Sequence, residues 1–316
     1  MQYIAWNIER LEEVVALWNQ ELGKDFPMRD ELLIQNSFYD INVFNAGSLI
    51  VVNDHNHVIG FVVTKKWQDD IDVGIGKDMG WIQVLLVDSS YRNQGIGATL
   101  LHHAESKLKE HGITRIILGK DAWHYFPGIP TQYEYTKKWF TKHGYKLNGK
   151  EFDLDNHYHK ENMSIPIKEG VEVSLLNIEE KGQFLNFMHR CFPGRWEYEA
   201  KQYFQKGGTG REFVVLKREK QIIGFCRIND SKSPVIAQNV YWAPLYEGEL
   251  GGIGPLGIDS NERKHGYGLF IVEAAIAYLR NRNIHSILID WTGLVTFYNK
   301  LGFKICNSYD TYEKDV

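Results

Sequence analysis

Val84-Leu85-Leu86-Val87-Asp88-Ser89-Ser90-Tyr91-Arg92-Asn93-Gln94-Gly95-Ile96-Gly97 has a counterpart in Pro255-Leu256-Gly257-Ile258-Asp259-Ser260-Asn261-Glu262-Arg263-Lys264-His265-Gly266-Tyr267-Gly268. Both read as an apolar strand, then Asp-Ser, then Arg-x-x-Gly-x-Gly. The offset from Arg92 to Arg263 equals that from Gly97 to Gly268. A constant offset over a long motif is the mark of an internal repeat.

The likeness extends outward. Downstream, Leu100, Leu101, Ala104 and Leu108 predict a helix ending near His111-Gly112, and Leu269, Val272, Ala275, Ile276 and Leu279 predict its twin ending near Asn281. β-branched runs follow, Arg115–Leu118 and Ser286–Ile289, then a short amphipathic helix and a Gly-aromatic step, Gly144-Tyr145 and Gly302-Phe303. Upstream, Ser48–Asn53 with Val58–Lys65, and Glu212–Lys217 with Gln221–Ile228, predict a β-hairpin before each motif. Trp81–Val87 and Leu250–Ile258 are the motif strands. The reading is therefore two tandem α/β (α+β) domains, 1–163 and 164–316, each a mixed, mostly antiparallel sheet flanked by helices.

The copies differ in one stretch. The segment from Arg92 to Phe140 is longer than its counterpart from Arg263 to Tyr298. The excess lies around His124–Thr131, where Pro127, Gly128 and Pro130 mark a shaped loop.

A strand that ends in a glycine-bearing turn and opens a helix is an anion-binding device. First-turn amides point outward unpaired, the helix dipole adds positive potential, and the glycines let backbone approach a phosphate. The dinucleotide fingerprint G-x-G-x-x-G and the P-loop G-x-x-x-x-G-K-[ST] are both absent from these turns. Arg-x-x-Gly-x-Gly after an apolar strand, present twice with matching flanks, resembles the coenzyme A signature of the GNAT superfamily of N-acyltransferases, in its tandem, mycothiol-synthase-like form.

That resemblance implies acetyl-CoA as donor, without a metal, and a small-molecule amine as acceptor attacking directly in a ternary complex. It implies coenzyme A-binding residues Leu86, Val87, Arg92, Asn93, Gln94, Gly95, Ile96 and Gly97 in the first copy. In the second they are Leu256, Gly257, Ile258, Arg263, Lys264, His265, Gly266, Tyr267 and Gly268, with a backbone N–H near Leu256 or Gly257 serving the developing oxyanion. A phenol at the start of the last helix is the family's usual proton donor. Tyr298 holds that place in the second copy and Phe140 in the first, with Tyr135 one turn earlier, so catalysis is expected in the second copy. Glu249 and Asp290 are the candidate bases, Glu249 being preferred because carboxylates on that strand often serve in the family. Gly251, Gly252, Gly254 and Gly257 leave the second motif strand open to a close approach or to a bulge.

Composition sets the remaining bounds. A formal net charge of -4 gives no global basic field for nucleic acid or an anionic membrane. Cys191, Cys226 and Cys306 form no disulfide or zinc pattern and suit a reducing compartment. His102-His103 and His157-x-His159 lack metal-site spacing with any cysteine. Met1–Asn7 shows no basic stretch followed by an apolar run, so no signal peptide is expected, and no apolar run approaches the ~20 residues of a membrane span, so a cytoplasmic protein is expected. Two alternatives stay open: a non-catalytic coenzyme A-binding scaffold, and catalysis in the first copy with the His124–Thr131 insertion shaping its cleft.

Overall fold

The computed structural model describes residues 1–159 and 163–316. The chain divides into two compact units: unit 1 is Met1–Asp70, Gly76–Glu151 and Ser308–Val316, and unit 2 is Ile71–Ile75 and Phe152–Asn307.

In chain order come β1 (Gln2–Ala5), α1 (Leu11–Leu22), α2 (Asp30–Leu33), β2 (Leu49–Val52), β3 (Val58–Lys66), β4 (Met79–Val87), α3 (Ile96–Glu110), β5 (Arg115–Leu118), β6 (Ile129–Pro130), α4 (Glu134–Lys142) and β7 (Lys146–His157). Then follow β8 (Glu172–Leu175), α5 (Lys181–Cys191), α6 (Arg195–Gln205), β9 (Phe213–Arg218), β10 (Gln221–Asn229), β11 (Leu250–Ile258), α7 (Tyr267–Arg280), β12 (Ser286–Thr292), α8 (Val295–Asn299) and β13 (Lys304–Asp315). Unit 1 orders its strands β1-β2-β3-β4-β5-β13, and unit 2 orders them β8-β9-β10-β11-β12-β7. Neighbours run antiparallel except β4–β5 and β11–β12. The mixed, mostly antiparallel sheets expected from the sequence are present.

The division differs from the linear one expected at 163/164. Phe152–His157 of β7 pair with β12 in unit 2, while Glu313–Asp315 of β13 pair with β5, and Tyr309 and Asp310 with β6, in unit 1. Both strands are 12 residues long and follow the Gly-aromatic step. As copies of one element, either fits the slot beside the fifth strand, and local sequence says nothing about which slot it takes.

Each motif helix lays an apolar stripe on its own sheet. Leu100, Leu101, Ala104 and Leu108 of α3 are buried, as are Ile271, Ala274, Ala275 and Leu279 of α7. Each fully buried leucine contributes about 1.5–3 kcal/mol. Among the described residues, no helix is long and apolar enough to cross a membrane.

Two irregularities recur at matched positions. β3 and β4 keep register from Gly60↔Val87 to Val63↔Val84, then pair Thr64 with Ile82, so Gln83 is an extra residue. β10 and β11 pair Cys226 with Leu256 and then Ile228 with Ile253, leaving the extra residue within Gly254-Pro255. Gln83 and Gly254 are separated by the same offset as Arg92 and Arg263, so each motif strand bulges at the same place. Just there the parallel partner departs: β4–β5 pairing covers Met79–Ile82, and β11–β12 pairing covers Leu250–Gly252. Each unit therefore holds a wedge between its fourth and fifth strands.

Candidate active site

The two cradles share one backbone. Asp88 and Asp259 cap the short turns after their strands by accepting from Ser90 N (2.8 Å) and Asn261 N (3.0 Å). Arg92 and Arg263 each turn Nε back to the strand end, to Val87 O (3.0 Å) and Ile258 O (3.3 Å). Asn93 and Lys264 have φ of 61° and 70°, and Gly95 and Gly266 have φ of 85° and 76°. Those glycines are left-handed N-caps of α3 and α7, a conformation costly for any residue with a Cβ. A Cβ built on Gly95 meets no atom within 4 Å, so the space above the helix end is open. Ring edges close the far side: a Cβ on Gly97 would lie 3.4 Å from Trp139, and one on Gly268 would lie 3.5 Å from Phe297.

In unit 1 this space continues into a cavity of ≈ 340 Å³ along the wedge. Leu85–Val87 form one wall, Leu118 and Gly119 the other, and Gly95 and Gly97 the mouth. Phe126 and Gly128–Pro130 of the insertion complete it, so the proline-bearing loop is part of this cavity's lining. At its inner end Gln83 is tied down: Nε2 donates to Asn36 O (3.2 Å) and Trp123 O (3.0 Å), and Oε1 accepts from Ser37 Oγ (2.7 Å). Lys65 is buried nearby in the fold of unit 1, with Nζ 2.8 Å from Asp40 and 2.6 Å from Asp121.

Unit 2 carries different side chains at its wedge. Asp290 lies on β12, which runs past the expected Ile289 because Thr292 pairs with Phe152. A Cβ on Gly254 would stand 3.7 Å from Asp290 Oδ1, so the carboxylate sits against the bulge where β11 leaves β12. Asn229 Nδ2 donates to Asn239 Oδ1 (3.0 Å), and Asn239 Nδ2 donates to Asp290 Oδ1 (3.0 Å), fixing its direction. Burial pushes the Asp290 carboxyl up to about 6, opposed by Arg195 and reinforced by Glu199. Arg195 pairs with Glu199 (2.8 Å) and covers the Trp291 ring at 4.1 Å.

Tyr298 is 5% exposed and stands in the last turn of α8, next to its final residue Asn299, and not at the helix start expected from the sequence. Burial raises its phenol well above the ordinary value, and the Asp290 charge adds to the rise. A hydroxyl in that state stays protonated across the physiological range, as a proton donor must. The structure thus brings Tyr298 and Asp290 within electrostatic reach of each other. Glu249 stands apart, before the first residue of β11, with Oε1 accepting from Ser231 N (3.0 Å) and Oγ (2.5 Å). Leu256 and Gly257 lie beyond the bulge, paired with Cys226 and Phe225 on the β10 side. The open-strand glycines serve packing as well as the bulge: a Cβ on Gly251 would meet Ile284 at 2.8 Å, and one on Gly257 would press on the Phe192 ring.

Unit 1 has neither a carboxylate nor a phenol at the positions matching Asp290 and Tyr298. At the offset of the two cradles Asp290 matches Gly119, and the residues that follow, Trp291 and Lys120, share a positive φ of 43° and 63°. Beyond the insertion the offset shortens, and there Tyr298 matches Phe140 as Gly302 matches Gly144. Tyr135 is 63% exposed, and its hydroxyl donates to Asn93 Oδ1 (2.9 Å) at the cradle.

Comparison with known proteins follows the same division. The acetyltransferase (GNAT) family profile matches residues 11–127 and 182–303. A search of curated protein sequences gave no match. Among solved structures, a GCN5-related glucosamine N-acetyltransferase region of a fungal multi-domain GH3 β-N-acetylglucosaminidase is similar, with TM-score 0.87, 23% identity and 99% of this chain covered. The chain spans only 38% of that protein. A GCN5-related N-acetyltransferase from Sphaerobacter thermophilus aligns at TM-score 0.73 and 12% identity, over 99% of this chain and 95% of the other. A tandem GNAT protein from the clavulanic acid biosynthesis pathway aligns at TM-score 0.69 and 13% identity, over 99% and 98%. With the family signature in both halves and both wedges built as the signature requires, the chain belongs to the GNAT acetyltransferase family, in its tandem form.

Proposed function

We propose that unit 2 transfers an acetyl group from acetyl-CoA to the primary amine of a small molecule, by direct attack in a ternary complex. The observation that carries this reading is the pair Asp290 and Tyr298 at the wedge of unit 2, where unit 1 has Gly119 and Phe140. The cradle fits coenzyme A: the left-handed glycines and the first-turn amides of α7 suit a pyrophosphate, and Arg263, Lys264 and His265 surround them. When bound, the thioester supplies the activated acyl group. Asp290 takes the proton from the acceptor ammonium. The edge of β11 beyond Gly252, where pairing with β12 ends, offers backbone N–H groups to charge developing on the carbonyl oxygen. The neutral amine nitrogen bonds to the carbonyl carbon as the carbon–sulfur bond breaks. The Tyr298 hydroxyl gives its proton to the departing sulfur and takes back the second proton that the nitrogen sheds on becoming an amide.

Arg195, Glu199 and Asn239 make the surroundings of Asp290 polar, which suits a hydroxyl-rich amine. The fungal neighbour is described as acting on glucosamine, which makes amino sugars the first acceptors to test. The cysteines are free, in keeping with a reducing cytoplasm. The test is steady-state release of free thiol from acetyl-CoA with glucosamine, polyamines, aminoglycosides and amino acids. Turnover with one class supports the reading, and no thiol release with any amine under conditions where coenzyme A binds favours the scaffold alternative.

Tyr298→Phe is expected to lower kcat about 10²–10⁴-fold, the usual loss of a positioned general acid, with coenzyme A affinity unchanged. The ring and its packing remain, so the melting temperature serves as control. A second reading, catalysis in unit 1, draws on the open cavity there and on Tyr135 at its mouth. Tyr135→Phe distinguishes it: a large loss from that substitution alone moves the acid to unit 1.

A further inference from the structure

The two cradles share a backbone but not a charge. In unit 1 the end of α1 places Glu21 on the loop, where its carboxylate accepts from Ser89 N (2.9 Å) and pairs with the Arg92 guanidinium. Its side chain is only 7% exposed, and it lines the same cavity as Arg92 and Gly95.

In unit 2 the end of α5 occupies the corresponding place. Gln20 Nε2 donates to Asp88 (3.3 Å) as Arg190 donates to Asp259 (2.6 Å), so the next residue, Glu21, corresponds to Cys191. Cys191 Sγ is 3.5 Å from Asp259, and no carboxylate pairs with Arg263 among the described residues. Lys168 adds a cation there. Its Nζ stands 3.9 Å from the position of a Cβ on Gly266 and 5.7 Å from the Tyr267 ring centroid, and it has no ion-pair partner among the described residues.

We propose that Glu21 and Lys168 decide which cradle takes the pyrophosphate of a coenzyme A-type ligand. Glu21 occupies the arginine that a diphosphate needs and sets a negative charge in its path. Lys168 brings an unengaged ammonium to the other helix end, where the dipole already favours anions. Unit 1 is thereby a weak nucleotide site despite its formed cavity, and unit 2 a strong one. This assignment rests on the acyl-CoA reading of the wedges.

The experiment is calorimetric titration of the full chain with coenzyme A at low and high salt. Wild type is expected to show a tight site that Lys168→Gln weakens about tenfold and Lys168→Arg preserves. Glu21→Gln is expected to tighten the weaker site about ten- to hundredfold, and the gain should shrink as salt screens the charges. A tight site insensitive to Lys168→Gln, with a weaker one insensitive to Glu21→Gln, overturns the assignment alone. A wild-type protein with no coenzyme A site overturns the acyl-CoA reading and the assignment together.

Discussion

Asp290→Asn is expected to lower kcat/KM by about 10²–10⁴-fold, the range associated with losing a positioned general base. The amide keeps an oxygen for Asn239 Nδ2 to donate to, so the site retains its shape while losing the proton acceptor. The pH profile gives a second readout. Burial raises the Asp290 carboxyl to about 6, and the proposed base acts in its deprotonated form. Activity should therefore fall about tenfold per pH unit as pH drops below about 6, and hold above it. Asp290→Asn should abolish that acid limb. Stability moves the other way. A carboxyl whose folded pKa lies above its unfolded value of 3.8 is disfavoured as the anion, so folding loses stability as pH rises through the window between 3.8 and about 6. The neutral amide should thus leave the melting temperature at pH 7 unchanged or higher. A variant with normal kcat/KM and an intact acid limb returns the base to Glu249.

Much of this was legible in the chain because it is local. Strand, Asp-Ser turn, arginine, two glycines and helix form one continuous segment, and its repetition at a constant offset marked both cradles and most strands. The hairpins and motif helices end within a residue or two of the expected positions for the same reason: turn residues and apolar periodicity mark them. What depends on long-range pairing was not legible. The exchange of β7 and β13 follows from their equivalence, which pattern alone leaves undecided. The ranking of bases followed strand membership and favoured Glu249. Geometry places Asp290 at the wedge, through a strand extended by Phe152 pairing with Thr292 and an amide relay from Asn229. Gly119 as the counterpart of Asp290 is readable from the offset once Asp290 matters. The Glu21–Arg92 pair joins residues 71 positions apart, and no motif signals it.

The most direct test of catalysis in unit 2 compares two matched substitutions, Gly266→Glu and Gly95→Glu. Each puts a Cβ on a left-handed glycine and an anion at a helix N-terminus where a phosphate must sit, so each blocks its own cradle by the same physics. The loops are exposed, and the open space at Gly95 leaves the fold intact. Thiol release at saturating acetyl-CoA and amine is the measurement. Loss of turnover beyond about 10²-fold is expected in Gly266→Glu, and turnover within about threefold of wild type in Gly95→Glu, whose unit lacks both Asp290 and Tyr298 equivalents. The reverse pattern, with Gly95→Glu inactive and Gly266→Glu active, contradicts it and moves the chemistry to the cavity of unit 1.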